Sequence, residues 1–185
     1  MKRLLVKTMY VCSILVALSG VAVAGNSDKV HYDNKEHGYS FDFQNNWTET
    51  RNPQDGFDVA FVNVPTDAAL LNSTVLVACN TLPAEKTFDA AAEDFLVGFS
   101  KSFAEYKLEK KSNTKLGTGN AVRFESKATL NGKSVKLVAV ATANGRTFVC
   151  LMMLTPTESN ERDLKIFDEI LLRSFKFSTS SGRTP

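Results

Sequence analysis

Length and charge limit what this chain can be. It has 185 residues and a formal net charge of +2, and three of its cations lie in the first 24 residues, which hold no anion. The other 161 residues (185 less 24) would carry −1, a charge that gives no indication of nucleic-acid binding. That length is sufficient for one domain with a hydrophobic core.

The first 24 residues have the pattern of a cleavable signal peptide. Three cations precede a short apolar run that ends in an A-x-A cleavage site: Lys2, Arg3 and Lys7, then residues 9–23, with Ala22, Val23 and Ala24 at the end. We predict cleavage after Ala24 and export to the periplasm or the medium, between which the sequence does not distinguish. The alternative is an uncleaved anchor, although the run is shorter than the roughly 20 residues of a membrane span. Cys12 lies too early to be a lipobox cysteine.

Three strands are predicted in the first half of the mature chain. Residues 25–38 are polar and are expected to form a flexible lead-in, after which alternating apolar and polar residues predict a strand at 39–43. Trp47, the only tryptophan, is expected to anchor the core at the end of this strand. Further strands are predicted at 57–64 and 74–82, and the last is apolar on both faces, which indicates a central position in a sheet.

Two amphipathic helices are also predicted. Thr87 is a good N-cap for the first helix. Its apolar residues recur at helical spacing and are mostly aromatic: Phe88, Ala91, Ala92, Phe95, Leu96, Phe99, Phe103 and Tyr106. This stripe is expected to pack on the sheet, and the alternative is that it forms the wall of a cavity for a hydrophobic ligand. The second helix follows Ser159 or Asn160, with apolar residues at Leu164, Phe167, Ile170 and Leu171.

The second half of the chain contains two strong hairpin signals. Asn-Gly pairs at 131–132 and 144–145 predict tight turns between long strands. With two-residue loops at both places, the register puts twelve mostly apolar side chains on one sheet face: Val122, Phe124, Ala128, Leu130, Val135, Leu137, Ala139, Ala141, Phe148, Cys150, Met152 and Leu154. The opposite face becomes apolar toward the strand at 146–154, whereas the lysine-rich run 107–116 is expected to be a sheet edge.

These elements predict the fold class. Because both faces of the middle strands are apolar, each face needs a cover, and two helices are available. The predicted fold is α+β, an antiparallel β-sheet flanked by helices in an α/β/α sandwich. It is expected to form a single domain over residues 39–177, followed by a disordered tail at 178–185.

Two cysteines remain after removal of the signal peptide, Cys79 and Cys150. Both lie on strands predicted to be central, so a disulfide between them is possible in an oxidising compartment. The alternative is two separate buried thiols.

Four segments in this order carry a family resemblance: HGYSFDFQNNW at 37–47, KTFDAAAEDFL at 86–96, LGTGNAVRFESKATLNGK at 116–133 and IFDEILLRSFKF at 166–177. They resemble the PsbP-like superfamily, which includes the extrinsic photosystem II protein PsbP and DcrB-like exported bacterial proteins. The resemblance implies an antiparallel sheet between helices and a non-enzymatic binding or assembly module. It implies no site residues, because the matching positions are packing positions, and the absence of a lipobox departs from DcrB-like proteins.

Catalytic motifs are not found in the sequence, which has no nucleophile elbow, no P-loop and no metal-spaced cysteine set. His31 and His37, with Asp33 and Glu36 nearby, are candidate ligands for a transition metal. The alternative is that these side chains belong to a solvated loop and have no chemical role.

The loop at 65–73 is the other candidate for a function. It contains Leu70 and Leu71, which either form an exposed contact patch or pack under the loop as a satellite cluster.

From these observations we expect an exported, non-enzymatic binding or assembly module without a cofactor. Its partner would be another protein of the cell envelope, and neither nucleic-acid binding nor stable membrane insertion after cleavage is expected. The alternatives are a periplasmic carrier of an apolar small molecule and a weak metal-binding protein that uses the N-terminal histidines.

Overall fold

A computed structural model describes residues 29–44, 46–54, 56–63, 71–157 and 160–178. The predicted signal peptide at 1–24 lies outside these residues, and so does all but the first residue of the predicted tail. In chain order the strands and helices are β1 (Lys29–Asn34), β2 (Tyr39–Gln44), β3 (Thr48–Gln54), β4 (Phe57–Asn63), β5 (Ser73–Thr81), α1 (Phe88–Ser100), β6 (Ala104–Leu116), β7 (Gly119–Leu130), β8 (Lys133–Asn144), β9 (Thr147–Pro156), α2 (Asn160–Ile166), a π-helical segment (Phe167–Leu172) and β10 (Lys176–Phe177).

Seven strands form the larger of two sheets, in the spatial order β3-β4-β5-β9-β8-β7-β6. All neighbouring pairs are antiparallel. β5 and β9 lie side by side in the middle, as expected for strands that are apolar on both faces, and the lysine-rich β6 is an edge. The other edge, β3, was not predicted, because its sequence TETRNPQ has no alternating apolar pattern.

The core on one face of this sheet confirms the predicted pattern, and we call it the α1-side core. All twelve side chains assigned to one face belong to it, and α1 covers them with Ala92, Leu96 and Phe99. The side chain of Thr87 caps α1 by accepting a hydrogen bond from the Ala90 backbone N–H at 3.3 Å. Tyr106, assigned to the helix from the sequence, instead lies on β6, where it packs against the same core.

The two hairpins differ from each other in their turns. The first is as predicted: Leu130 pairs with Lys133, and the two loop residues Asn131 and Gly132 both have positive φ. In the second, Asn144 pairs with Thr147, so the loop is Gly145-Arg146, one residue later than predicted. Each residue of β8 therefore pairs with a β9 residue two positions later than predicted. Every side chain stays on its predicted face, because side-chain direction alternates with a period of two.

The opposite face is buried under a second core, which we call the α2-side core. Its cover is not a helix alone, because the small sheet with the order β1-β2-β10 packs there beside the π-helical segment. Tyr39, Phe41 and Phe43 of β2 are all buried in this core, and so is Trp47, as predicted. The predicted α/β/α sandwich therefore has one mixed layer of strands and helix.

The flexible lead-in predicted at 25–38 is wrong for residues 29–34, which form β1. This strand pairs with β2 along its whole length, from Lys29–Gln44 to Asn34–Tyr39. Only Tyr32 of β1 is buried, so the strand gains its order from pairing and not from an apolar pattern that the sequence would reveal.

The second helix is irregular. α2 passes directly into the π-helical segment, in which Phe167 and Leu171 are buried. Asp163 of α2 is a buried carboxylate that accepts a hydrogen bond from the Ser73 hydroxyl on β5, which ties the helix to the larger sheet. Among the described residues, no helix combines the length and apolar character that crossing a membrane requires.

Candidate functional site

The two histidines lie near the small sheet in different surroundings. His31 is an exposed residue of β1, and its Nδ1 is 2.8 Å from Oδ1 of Asp42 on β2. His37 lies in the turn between β1 and β2, and its Nδ1 is 2.9 Å from Oδ2 of Asp58 on β4. Each imidazole thus has its own carboxylate partner, and only the second pair is largely shielded from solvent.

Asp58 is the centre of a group of side chains that we call the His37 cluster: Asn34, His37, Tyr39, Asp58 and Cys79. Hydrogen bonds join the first four, and Cys79 lies beside His37 and Asp58. The Tyr39 hydroxyl and the Asn34 Nδ2 each donate to Asp58 Oδ2 at 2.7 Å. The Asn34 Oδ1 in turn accepts a hydrogen bond from the His37 backbone N–H at 3.0 Å. Together with the His37 ring, these groups converge on one oxygen of the carboxylate, which fixes its orientation.

Local backbone geometry brings His37 to this place. Asn34 and Tyr39 are register partners at the end of the β1–β2 pair. The turn between them is closed by the Gly38 N–H, which donates to the Asn34 carbonyl at 2.8 Å. Gly38 has φ +68°, a backbone conformation that residues other than glycine rarely adopt, so a glycine suits this turn.

A break in the alternation of β4 turns Asp58 toward the cluster. Phe57 belongs to the α1-side core and Val59 to the α2-side core, although strict alternation would place both on one face. The paired register of β4 with β5 begins at Val59 and Val77, so Asp58 and Cys79 lie just beyond it. This is where the two strands leave room for side chains from the small sheet.

The protonation behaviour of Tyr39 follows from its surroundings. Burial raises its pKa far above the usual value, and the hydrogen bond to the Asp58 carboxylate raises it further. Burial also raises the pKa of the neighbouring Tyr32. Tyr39 is consequently a neutral hydrogen-bond donor throughout the physiological range.

Cys79 lies beside His37 and Asp58, but its electrostatics are not those of an activated nucleophile. Burial raises the pKa of the Cys79 thiol to about 12, and the Asp58 carboxylate contributes in the same direction. Nucleophilic cysteines have a lowered pKa and an accessible sulfur, whereas Cys79 is only 9% exposed. The thiol therefore stays protonated, and this group of side chains does not support cysteine catalysis.

Most of this cluster could not be recognised from the sequence. Tyr39 and Cys79 match the apolar alternation of core strands, and Asp58 is an ordinary polar residue between Phe57 and Val59. Of the five residues, the sequence marks only His37 as a candidate metal ligand. No local pattern joins residues that are separated by 21 positions, as His37 and Asp58 are.

The possible disulfide between Cys79 and Cys150 is wrong for this structure. The two strands are neighbours, but Cys150 pairs with Ala78 and Cys79 pairs with Val149. Adjacent residues of a strand point to opposite faces, so Cys79 enters the α2-side core and Cys150 the α1-side core. Both cysteines are free and buried, which was the alternative.

The predicted contact loop is described only at its end. Leu70 lies outside the described residues. Leu71 is partly buried and packs against the α1-side core, as the satellite-cluster alternative expected for that residue.

A second candidate site is the surface where α1 meets the edge strand β6, which we call the helix–edge surface: Glu93, Val97, Leu108 and Lys111. The Lys111 Nζ is 2.5 Å from the Glu93 carboxylate, which links the strand to the helix. Val97 follows Glu93 by one helical turn and is 57% exposed. Leu108 is 44% exposed. It pairs with Ser126, and Lys111 pairs with Phe124 of the α1-side core. Because paired residues of antiparallel strands point to the same face, Leu108 and Lys111 both point toward α1.

Comparisons with known proteins concern the fold. The chain matches no family model and no curated protein. Among solved structures, it is similar to CyanoP, the cyanobacterial PsbP of Synechocystis sp. PCC 6803, with a TM-score of 0.62 and 18% identity over 88% of this chain and 96% of that one. The chain has a PsbP-like fold. The predicted fold class is thereby confirmed.

The PsbP-like fold extends to other proteins of different description. LpqN, involved in cell envelope biogenesis of Mycobacterium tuberculosis, matches with a TM-score of 0.61 and 12% identity over 82% of this chain and 91% of that one. The Ran-binding protein Mog1p of Saccharomyces cerevisiae matches with a TM-score of 0.54 and 11% identity over 83% and 97%. At these identities the likeness establishes the fold alone.

Proposed function

We propose that this chain is an exported, non-enzymatic module that binds another protein of the cell envelope through the helix–edge surface. The observation that carries the proposal is the exposure of two large apolar side chains, Val97 on α1 and Leu108 on β6, the two elements that the Glu93–Lys111 ion pair joins. Apolar side chains with charged neighbours form the usual centre and rim of a protein interface.

The proteins that share the fold support this proposal in two ways. Mog1p is a Ran-binding protein, so this arrangement of sheet and helices serves protein binding in at least one case. LpqN is involved in cell envelope biogenesis, and the N-terminal signal pattern of this chain predicts export to the periplasm or the medium.

The packing of α1 favours a binding surface over a carrier. Phe95 and Phe99 stack with ring centroids 6.5 Å apart, and Phe99 meets Phe103 edge-on at 5.2 Å. Phe95 also contacts Phe148 of β9 at 5.9 Å. The aromatic stripe thus packs on itself and on the sheet, as expected of a core rather than of a wall lining a ligand cavity.

Site-specific photo-cross-linking in the producing cells tests the surface. A photoreactive amino acid is placed at Val97, at Leu108 or, as a matched control, at Val30, which is 41% exposed on the small sheet. We expect one discrete adduct from the first two positions and not from the third. The captured protein, identified and purified, should bind the mature chain about tenfold more weakly when Leu108 is replaced by Glu.

Three outcomes would count against the proposal. Adducts of equal yield from all three positions would indicate random encounters. The absence of an adduct from both Val97 and Leu108 would exclude the helix–edge surface as the binding site. An apolar molecule that co-purifies with the chain in native mass spectrometry would favour the carrier. Export is tested separately. The protein recovered outside the cytoplasm should have the mass of a chain that begins at Gly25.

A further inference from the structure

The His37 cluster contains a set of side chains with metal-ligand chemistry. A ring nitrogen of His37, a carboxylate oxygen of Asp58 and the Cys79 sulfur all lie within 4.8 Å of one another. Imidazole, carboxylate and thiolate are the three ligand types that proteins use for zinc. In a tetrahedral zinc site, ligand atoms are roughly 3.3–3.7 Å apart, so side-chain movements of about one ångström would suffice to close the set.

The three side chains are carried by ordered parts of the fold. Asp58 is on β4 and Cys79 on β5, both inside the larger sheet. His37 is held in a four-residue turn whose ends are joined by the backbone hydrogen bond from Gly38 to Asn34. Because a metal site is strong only when its ligands are held in place before binding, these positions favour a site over an accidental meeting of polar groups.

Two further side chains orient the carboxylate. Tyr39 and Asn34 both donate to Asp58 Oδ2, at 2.7 Å each. Metal-binding carboxylates and imidazoles are typically positioned by such outer hydrogen bonds. Tyr39 is fully buried and Asn34 is fixed by the His37 backbone, so both act from stable positions.

We propose that His37, Asp58 and Cys79 bind a zinc ion. A thiolate and a carboxylate together balance the charge of the divalent cation, and the neutral imidazole completes a three-residue set. The His37 side chain is 36% exposed, so water or an incoming group can reach the site and serve as a fourth ligand. Zinc binding exchanges the S–H bond of Cys79 for a sulfur–zinc bond and releases the thiol proton to solvent.

This site differs from the one considered from the sequence. His31 is not part of it, because that ring pairs with Asp42 on the exposed side of β1 and β2. The zinc site also stands apart from the helix–edge surface, since it joins the small sheet to β4 and β5, so either proposal can fail without the other.

Metal titration of the mature protein tests the proposal, with zinc and cobalt(II) chlorides as the probes. We expect one equivalent of zinc to bind in competition with a chromophoric chelator. Cobalt(II) should give the near-ultraviolet charge-transfer band of a sulfur–cobalt bond, which is a direct sign of thiolate ligation.

The chain offers matched controls for both kinds of ligand. H37A and C79S should each weaken zinc binding by at least about a hundredfold, whereas H31A and C150S should leave it unchanged. Y39F removes only an orienting hydrogen bond and should weaken binding by about tenfold to a hundredfold. Far-ultraviolet circular dichroism establishes that each variant is folded before it is titrated.

Several results would overturn the proposal. These are the absence of stoichiometric zinc binding, zinc binding that is unchanged in each of the single variants H37A and C79S, and loss of zinc binding in the single variant H31A. If C79S does not fold, the cobalt spectrum of the unmodified protein still decides, because a spectrum without the sulfur charge-transfer band excludes Cys79 as a ligand.

Discussion

Replacing Tyr39 with Phe should destabilise the protein at neutral pH and stabilise it at high pH. The substitution removes one hydroxyl, which donates to Asp58 Oδ2 at 2.7 Å from a side chain with no exposed surface. The phenyl ring that remains fills the same space between Tyr32, Phe41 and Phe175. The variant therefore separates the hydrogen bonds of the hydroxyl, which also accepts a long one of 3.4 Å from the Asn34 Nδ2, from the packing of the ring.

The magnitude at neutral pH follows from the partners that remain. A hydrogen bond to a charged group contributes about 1.5–3 kcal/mol to stability. Asp58 keeps its contacts with Asn34 and His37, so it is not left without donors, and we expect the low end, about 1.5 kcal/mol.

The sign reverses with pH because the folded protein keeps Tyr39 protonated. Burial, followed by the hydrogen bond to the Asp58 carboxylate, raises the folded-state pKa above the unfolded value of about 10. Below that pH the stabilising contribution of Tyr39 is complete. Above it the unfolded chain releases a proton that the folded chain retains, and stability falls by about 1.4 kcal/mol per pH unit. The stability difference should vanish near pH 11, roughly one unit above the unfolded pKa.

Urea denaturation of the mature wild type and Tyr39→Phe between pH 7 and pH 11.5 measures this difference. Cys79, whose pKa burial also raises, is present in both proteins, so its contribution cancels. Tyr106→Phe is the matched control, because the Tyr106 hydroxyl lies 2.7 Å from the neutral Ser126 hydroxyl. It should cost about 1 kcal/mol at neutral pH. A Tyr39→Phe penalty that is absent at pH 7, or that stays constant to pH 11.5, would refute the reasoning.

Three further predictions concern the cores and turns. In the metal-free folded protein, Cys79 and Cys150 should both remain unreactive toward a thiol reagent at pH 8, since burial raises both pKa values. Both should react on unfolding without a reductant, and no reactive thiol in the unfolded chain would indicate a disulfide between them. Leu137→Ala should lower the free energy of unfolding by about 2–5 kcal/mol, because this fully buried side chain would leave a cavity in the α1-side core, and a loss below 1 kcal/mol in urea denaturation would contradict that packing. Gly117 and Gly145 both have φ +58°, but a Cβ at Gly117 would lie 2.9 Å from a backbone carbonyl oxygen, whereas at Gly145 it would meet open space. Gly145→Ala should thus cost about 1 kcal/mol and Gly117→Ala about 1–3 kcal/mol more, and equal melting temperatures of the two variants would disprove the close approach.

The pattern of the second half of the chain could be predicted because it is local. Side chains alternate along every strand, and the Asn131-Gly132 turn determines where one strand ends and the next begins. The faces of β7, β8 and β9 therefore follow from the sequence even though the second turn lies one residue later than predicted. An error of one residue in a turn changes the pairing by two, which leaves each face intact.

The strand β1 of the small sheet could not be predicted in the same way. It has one buried side chain, Tyr32, so it contains no apolar pattern that would indicate a strand. Its order depends on pairing with β2. β3, with its bulge between Arg51 and Gln54, likewise lacks a pattern that would identify it as an edge strand.

The sequence by itself determined which strands are apolar on both faces, where the hairpin at Asn131-Gly132 turns, and where the helices that cover the sheet begin. Only the tertiary structure decided that Cys79 and Cys150 face opposite cores, and that His37, Asp58 and Cys79 meet. The physical reason is the range of the interactions. Alternation, capping and turn geometry act between neighbours in the chain, whereas the register of β5 on β9 and the docking of the small sheet depend on contacts between distant segments.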